Sequence, residues 1–217
     1  MRIGLVLAGG VSTNQLVPHI GRDVTDTLEV LIVAADSGLD LAEEIGIIPD
    51  VVVGDFDSVS PGALQRARDR GCEIREFPPA KDETDLELAL DIVVEWGAER
   101  VVVLGGGGGR LDHQLANVEA IAGLGIDAEA WFGDQLMVVV TGSWSAIVPA
   151  GRVVSVLPSG GPVVVSERGV RWPLDRHPIR PGSTLGVSNE ATGDGPVEIS
   201  VHEGRVVVIL PDAKDLT

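Results

Sequence analysis

The sequence predicts an α/β domain built on a mainly parallel sheet, followed by a smaller all-β unit. Three observations carry this expectation. Short β-branched runs alternate with helical patterns over the first two thirds of the chain, as in sheets whose strands are joined by helical crossovers. After about Thr141, Gly and Pro recur every few residues and no helix-length amphipathic segment remains. At 217 residues with 44% hydrophobic content, the chain has enough apolar material for a core and does not resemble a disordered polypeptide.

The expected strands of the first part are Ile3 to Ala8, Val30 to Ala35, Val51 to Gly54, Glu73 to Phe77, Val101 to Leu104 and Ala128 to Phe132. Between them, Ser60 and Pro61 read as an N-cap and first helical residue of a helix running to about Arg70. Thr84 to Glu87 forms a capping box, and Leu86, Ala89, Leu90, Val93 and Val94 then recur at helical spacing. A third helix follows Asp112, with Leu115, Val118 and Ala122 on one face. The layout is Rossmann-like, without the Gly-x-Gly-x-x-Gly dinucleotide fingerprint.

In the second part, the runs Ser145 to Val148, Val153 to Leu157, Val163 to Val165, Thr184 to Val187, Val197 to Val201 and Val206 to Leu210 predict a sandwich or barrel. The expected division is 1–142 for the α/β domain and 143–217 for the β unit. The segment 11–27 carries no motif.

Charge narrows the function. Sixteen Lys plus Arg against 33 Asp plus Glu give a net charge of −17. Such a surface repels phosphate backbones unless its cations cluster, and fourteen arginines spread along the chain with two lysines form no cluster. A nucleic-acid partner is not expected. Cys72 is the single cysteine, which excludes an intrachain disulfide and a multi-thiolate zinc site and fits a reducing cytoplasm. No apolar stretch approaches the roughly 18 residues of a membrane-spanning helix, and the first apolar run is too short for a signal peptide.

Ligands of open α/β sheets bind beyond the carboxyl ends of the strands, and acids recur there. The second strand is followed by Asp36, Ser37 and Gly38. The third runs into Asp55, Phe56, Asp57 and Ser58. The fourth leads to Lys81, Asp82, Glu83, Thr84 and Asp85, and the fifth enters Gly105 to Gly109, then Arg110, Leu111, Asp112 and His113. Crowded carboxylates call for a positive partner, and a hard dication such as magnesium is the natural one. Asp55 and Asp57 are spaced to lean toward one ion. The glycine run, with Gly108 and Gly109 before Arg110, has the outline of a phosphate nest with a guanidinium beside it. Lys81 would add a second cation for a polyphosphate. His113 reads as a helix-start residue rather than a general base. Trp96, Trp131 and Trp144 read as packing residues, whereas Trp172 lies in a turn-rich stretch from which an indole face can be offered to a ligand.

Taken in order, Asp-Ser-Gly at 36–38, Gly-Asp-Phe-Asp-Ser at 54–58, Lys-Asp-Glu-Thr-Asp at 81–85 and Gly-Gly-Arg-Leu-Asp-His-Gln-Leu-Ala-Asn at 108–117 resemble the thiamine pyrophosphokinase family. Gly169 to Leu174 and Gly186 to Glu190 extend the likeness into the β unit. The resemblance implies transfer of diphosphate from ATP to the hydroxyl of thiamine, giving thiamine diphosphate and AMP with Mg2+. It implies that Asp55, Asp57, Asp85 and Asp112 serve catalysis, with Asp55, Asp57 and Asp85 on the metal. It further implies that Asp36, Lys81, Asp82, Gly108, Gly109 and Arg110 meet ATP and its phosphates, and that Trp172, Ser188 and Asn189 meet thiamine. A homodimer with shared active sites is implied as well. Two other readings are a diphosphokinase for another hydroxymethyl heterocycle, such as a pterin, and a non-catalytic nucleotide or thiamine binding module.

Overall fold

The computed structural model describes residues 1–10 and 28–213. The segment 11–27 and Lys214 lie outside the described residues. The chain divides into two compact units, Met1–Gly133 and Asp134–Thr217.

The first unit holds strands β1 (Arg2–Ala8), β2 (Glu29–Ala35), β3 (Val51–Gly54), β4 (Glu73–Glu76), β5 (Arg100–Leu104) and β6 (Asp127–Phe132). Its helices are α1 (Gly38–Ile45), α2 (Ala63–Asp69), α3 (Asp85–Glu95) and α4 (Leu111–Gly123). The strands lie in the order β6-β5-β1-β2-β3-β4, and every neighbouring pair is parallel. Parallel strands covered on both faces read as unbroken apolar runs. Leu5 to Ala8 and all four residues of β3 are accordingly buried. Leu5, Leu7, Ala34, Val52, Val102 and Leu104 form one core with Leu39, Leu41 and Ala42 of α1 and Ala63 and Ala67 of α2. Each fully buried leucine contributes about 1.5–3 kcal/mol relative to exposure.

The capping box is present: Thr84 is the N-cap of α3, and its hydroxyl accepts the Glu87 N–H at 3.2 Å. Leu86, Ala89, Leu90 and Val93 face the core, but Val94 turns outward at 40% exposure. Helix α2 departs from expectation. It starts at Ala63 behind Gly62, whose φ of 80° lies in the left-handed region. Ser60 instead donates its N–H to the Asp40 carboxylate, and its carbonyl accepts the Ala63 N–H. Helix α1 was not expected, although Leu39, Ala42 and Ile45 carry its period. On α4, Ile121 and Ala122 are buried, whereas Leu115 is exposed.

The second unit contains β7 (Gln135–Val140), β8 (Ser143–Ala146), β9 (Val153–Pro158), β10 (Val163–Arg168), β11 (Leu174–Ile179), β12 (Asn189–Glu190), β13 (Val197–Glu203) and β14 (Val206–Leu210). Two antiparallel sheets, ordered β12-β9-β14-β7 and β11-β10-β13-β8, make a sandwich. Strand β7 pairs with β14 across its length. Thr184 to Val187, expected as a strand, is a turn. It leads into Ser188 at φ 60°, a value that no β-strand tolerates. None of the described helices is long and apolar enough to cross a membrane.

Candidate active site

Strand order reverses at β1, with β2 on one side and β5 on the other. In open α/β sheets the loops diverge at such a point and leave a crevice beyond the strand ends. Here that crevice is a cleft of about 720 Å³. Of the residues singled out from sequence, Asp36, Asp55, Asp57, Lys81, Asp82, Asp85, Gly108 and Arg110 line it. Gly109 and Asp112 are not among its lining residues.

The acidic centre is assembled by β2 and β3. Asp36 follows β2 at φ 45° and donates its N–H to the Val53 carbonyl at 2.8 Å, which ties the two strand ends together. Gly54 lets the chains come this close, because a Cβ there would sit 3.2 Å from Asp36 Cβ. Asp55 Oδ1 accepts the Asp57 N–H at 3.2 Å, and Ser58 Oγ donates to Asp57 Oδ1 at 2.7 Å. Carboxylate oxygens of Asp36, Asp55 and Asp57 then all lie within 4.8 Å of one another. Asp36 Oδ1 is buried without a hydrogen-bond partner among the described residues. Three hard oxygen donors with one orphaned buried oxygen fit a small dication.

The triangle joins Asp55 and Asp57 of the expected metal set with Asp36, while Asp85 of that set lines the same cleft. Asp85 is the first residue of α3, and its carboxylate pairs with Lys81 Nζ at 3.0 Å. Lys81 also reaches Asp55 at 3.7 Å, and its side chain is only 9% exposed. Burial lowers the Lys81 pKa, but pairing with Asp85, Asp55 and Asp36 outweighs it and the net direction is upward.

Burial, opposed by the Ser37 N–H and reinforced by Asp85, Asp57 and Asp55, holds the Asp36 carboxyl above the ordinary carboxylate range. A carboxyl raised in the native state favours folding below its unfolded pKa, and that contribution is lost as pH rises through the folded value. Asp36→Asn removes this dependence. In denaturant titrations of metal-free protein, the variant's stability relative to wild type is expected to increase from about pH 4 to about pH 7. A difference that stays constant would contradict the assignment.

The glycine run behaves differently from a simple phosphate nest. Gly105 N–H is donated to Trp131 O and Gly106 N–H to Gly9 O at 2.6 Å, so the first two amides join the ends of β6 and β1. A Cβ at Gly105 would lie 2.0 Å from Ala8 O, which only glycine avoids. Asn117 of α4 braces the same loop by donating to Gly106 O at 2.9 Å. Gly107 and Gly108 remain on the cleft wall. Arg110 and Asp112 form a two-pronged pair at 3.1 and 2.5 Å, with Asp112 held below the ordinary carboxylate range by that bond. Both are well exposed. Asp112 thus stands apart from the carboxylate triangle, and His113 lines the cleft from the first turn of α4.

In the second unit, Trp172 lies in the turn before β11 with its side chain 53% exposed, and the Arg171 guanidinium sits 4.8 Å from its ring centre. Asn189 is buried. Its carboxamide accepts the Trp172 N–H at 3.1 Å and donates to the Trp172 carbonyl at 2.9 Å. Its polar atoms are therefore engaged with the turn that presents the indole. Ser188 N–H is donated to Ser155 Oγ at 3.0 Å.

Comparison with known proteins settles the kinship of these two units. Residues 27–128 match the thiamin pyrophosphokinase catalytic domain, and residues 146–206 match the thiamin pyrophosphokinase vitamin B1 binding domain. The chain belongs to the thiamine pyrophosphokinase family. It is 29% identical over 191 residues to the thiamine pyrophosphokinase of Bacillus subtilis, an alignment covering 85% of this chain and 87% of that one. A crystal structure of the Bacillus subtilis protein superposes with a TM-score of 0.82 at 25% identity, covering both chains fully. The thiamin pyrophosphokinase of Geobacillus thermodenitrificans matches at 30% identity and a TM-score of 0.78, again over both whole chains.

In this thiamine pyrophosphokinase family member, Asn117, quoted in the 108–117 motif but given no role there, and Gly9-Gly10, which follow β1 and were not singled out, also line the cleft. The signal for the second was available, since β1 also delivers its carboxyl end to the ligand edge. The contact that Asn117 makes was not legible, because it depends on a carbonyl eleven residues away.

Proposed function

We propose that the chain transfers diphosphate from ATP to the hydroxyethyl group of thiamine, releasing AMP. Membership in the thiamine pyrophosphokinase family supports an ATP-dependent thiamine diphosphokinase. The single observation that carries the mechanism is the Asp36, Asp55 and Asp57 triangle beside Lys81. An acidic cleft accepts a polyphosphate only when a cation lies between them. Mg2+ is the ion we propose, held by these three carboxylates; when bound it would neutralise charge on the phosphate oxygens.

The residues of the chain position and screen the reactants. Diphosphoryl transfer demands little covalent work from a protein, and alignment with charge stabilisation carries most of the rate. Arg110 would exchange Asp112 for a phosphate, a contact for which its planar fork is suited. Lys81 and Asp82 flank the polyphosphate on the α3 side. The alcohol oxygen of thiamine attacks the β-phosphorus of ATP. The bond from that phosphorus to the α–β bridging oxygen breaks, AMP leaves, and the alcohol proton passes to a carboxylate of the cleft. The deciding assay incubates protein with ATP, magnesium and thiamine. AMP formed in step with thiamine diphosphate is expected; ADP, turnover with a pterin acceptor only, or no turnover would overturn the reading.

Thiamine carries a permanent positive charge on its thiazolium ring. A half-exposed indole such as Trp172 contributes about 0.5–2 kcal/mol to a cation laid on its face. Trp172→Ala is expected to raise the thiamine KM by about tenfold while moving the ATP KM much less. Equal rises would refute the assignment of Trp172 to thiamine.

The same reading includes a homodimer, supported by Leu111 and Leu115, one helical turn apart on α4 and 69% and 59% exposed. Light scattering that returns a monomer at micromolar concentration would remove this part. The net charge of −17 supports small molecules rather than nucleic acid as ligands, and the single buried Cys72 supports a cytoplasmic home.

A further inference from the structure

Glu167, on β10, is the one buried acid among the described residues, at 0% exposure. A carboxyl group in that position is costly unless it is hydrogen-bonded. Only one of its oxygens is: Oε2 accepts from Asn189 Nδ2 at 2.9 Å, while Oε1 is buried without a partner among the described residues. Simple packing gives no reason for an acid here, since a leucine or methionine would fill the space without that cost.

The reason lies in what Asn189 does. Its Oδ1 accepts the N–H groups of Trp172 at 3.1 Å and Glu190 at 3.0 Å, and its Nδ2 donates to the Trp172 carbonyl and to Glu167. One carboxamide thereby grips both backbone polar groups of Trp172. A carboxamide has two orientations of similar shape. Turned over, it would aim NH2 at two N–H groups and its oxygen at a carbonyl. The Glu167 oxygen that faces the amide accepts from it, so it adds one more conflict to the flipped form and helps hold the amide the right way round. Outside the buried network, the indole stays half exposed with Arg171 over its ring, and Arg171 is itself paired to Glu190 at 3.0 Å. The turn is further tied by Arg171 N–H to Glu190 O and Thr192 N–H to Gly169 O.

We propose that Glu167 is a positioning residue for substrate binding: through Asn189 it fixes the backbone of Trp172 and with it the indole face offered to the cationic ring. The proposal rests on the reading of Trp172 as a thiamine contact, and its experiment separates the two.

Glu167→Met removes the acceptor while conserving volume. It is expected to raise the thiamine KM about tenfold, the scale of one lost hydrogen bond to a charged group, with kcat and the ATP KM within about threefold. Deuterium exchange of the Trp172 amide is expected to accelerate by about tenfold or more, because its acceptor is no longer held in place. Glu167→Gln keeps an acceptor oxygen and is expected to restore both quantities to within about threefold of wild type. A thiamine KM unchanged in the Met variant, a rise shared equally by ATP, or an unaltered Trp172 exchange rate would overturn the proposal. So would a tenfold KM rise in the Gln variant, a result that stands even if the Met variant does not fold. Trp172→Ala is the reference: if it leaves the thiamine KM unmoved, the thiamine reading of that face fails; if it raises the KM and Glu167→Met does not, only the positioning role fails.

Discussion

Replacing Asp55 with asparagine is expected to lower kcat for AMP formation by about two to three orders of magnitude, the effect of losing one preorganised charge contact at a reacting phosphate. Asp55 is where two devices meet. It belongs to the carboxylate triangle and also faces Lys81 at 3.7 Å. Asparagine keeps the oxygen that accepts the Asp57 N–H, so the turn persists and the loss is one of charge. The magnesium concentration for half-maximal rate should rise in the same variant. Asp57→Asn should act in the same direction, because Asp57 shares the triangle while its Oδ1 is already bonded to Ser58. Initial rates measured across a magnesium series decide the matter. Normal turnover of both variants at low magnesium would remove these residues from the metal.

Lys81→Met is expected to produce the largest loss of stability. Its ammonium sits among Asp55 and Asp85, with side-chain exposures of 9%, 13% and 24%, so solvent screens the group poorly. Removing one partner of a largely buried pair typically costs about 3 kcal/mol or more because the remaining charge is uncompensated. For a chain of this size that is a drop in Tm of about 6–12 °C. Millimolar magnesium should return part of the loss, since a dication can supply the missing positive charge. Calorimetric scans with and without magnesium test this. A Tm equal to wild type, or a deficit indifferent to the ion, would show that Lys81 does not hold the acids together.

Much of this was legible because parallel strands deliver their carboxyl ends to one edge. The residues just past each apolar run sufficed to place Asp36, Asp55, Asp57, Lys81 and Asp85 on one cleft. Local chemistry was equally readable: β3 and β14 occupy the expected residues, and Thr84 caps α3. What sequence did not show depended largely on backbone conformation and on contacts between distant segments. That Asp36 approaches Asp55 and Asp57 stems from a left-handed residue bonded across to Val53, which no periodicity announces. Thr184 to Val187 has strand-like composition, but Ser183 Oγ accepts the Leu185 N–H, the Gly186 carbonyl accepts the Val156 N–H, and the segment folds as a turn. The hydrogen bonds of Asn189 were not legible, because exposed and buried asparagines are identical in sequence. Its partners Trp172 and Glu167 lie 17 and 22 residues away.

Between the two aspartates of β3's loop sits Phe56, a non-glycine residue at φ 63° whose ring packs against the core of the first unit. A bulky side chain accepts that conformation only when its surroundings impose it. The bite of Asp55 and Asp57 is therefore gauged by the seat of a phenyl ring rather than by the acids themselves. A change in the apolar interior of this unit would therefore be felt at its edge as a change in the spacing of these two carboxylates.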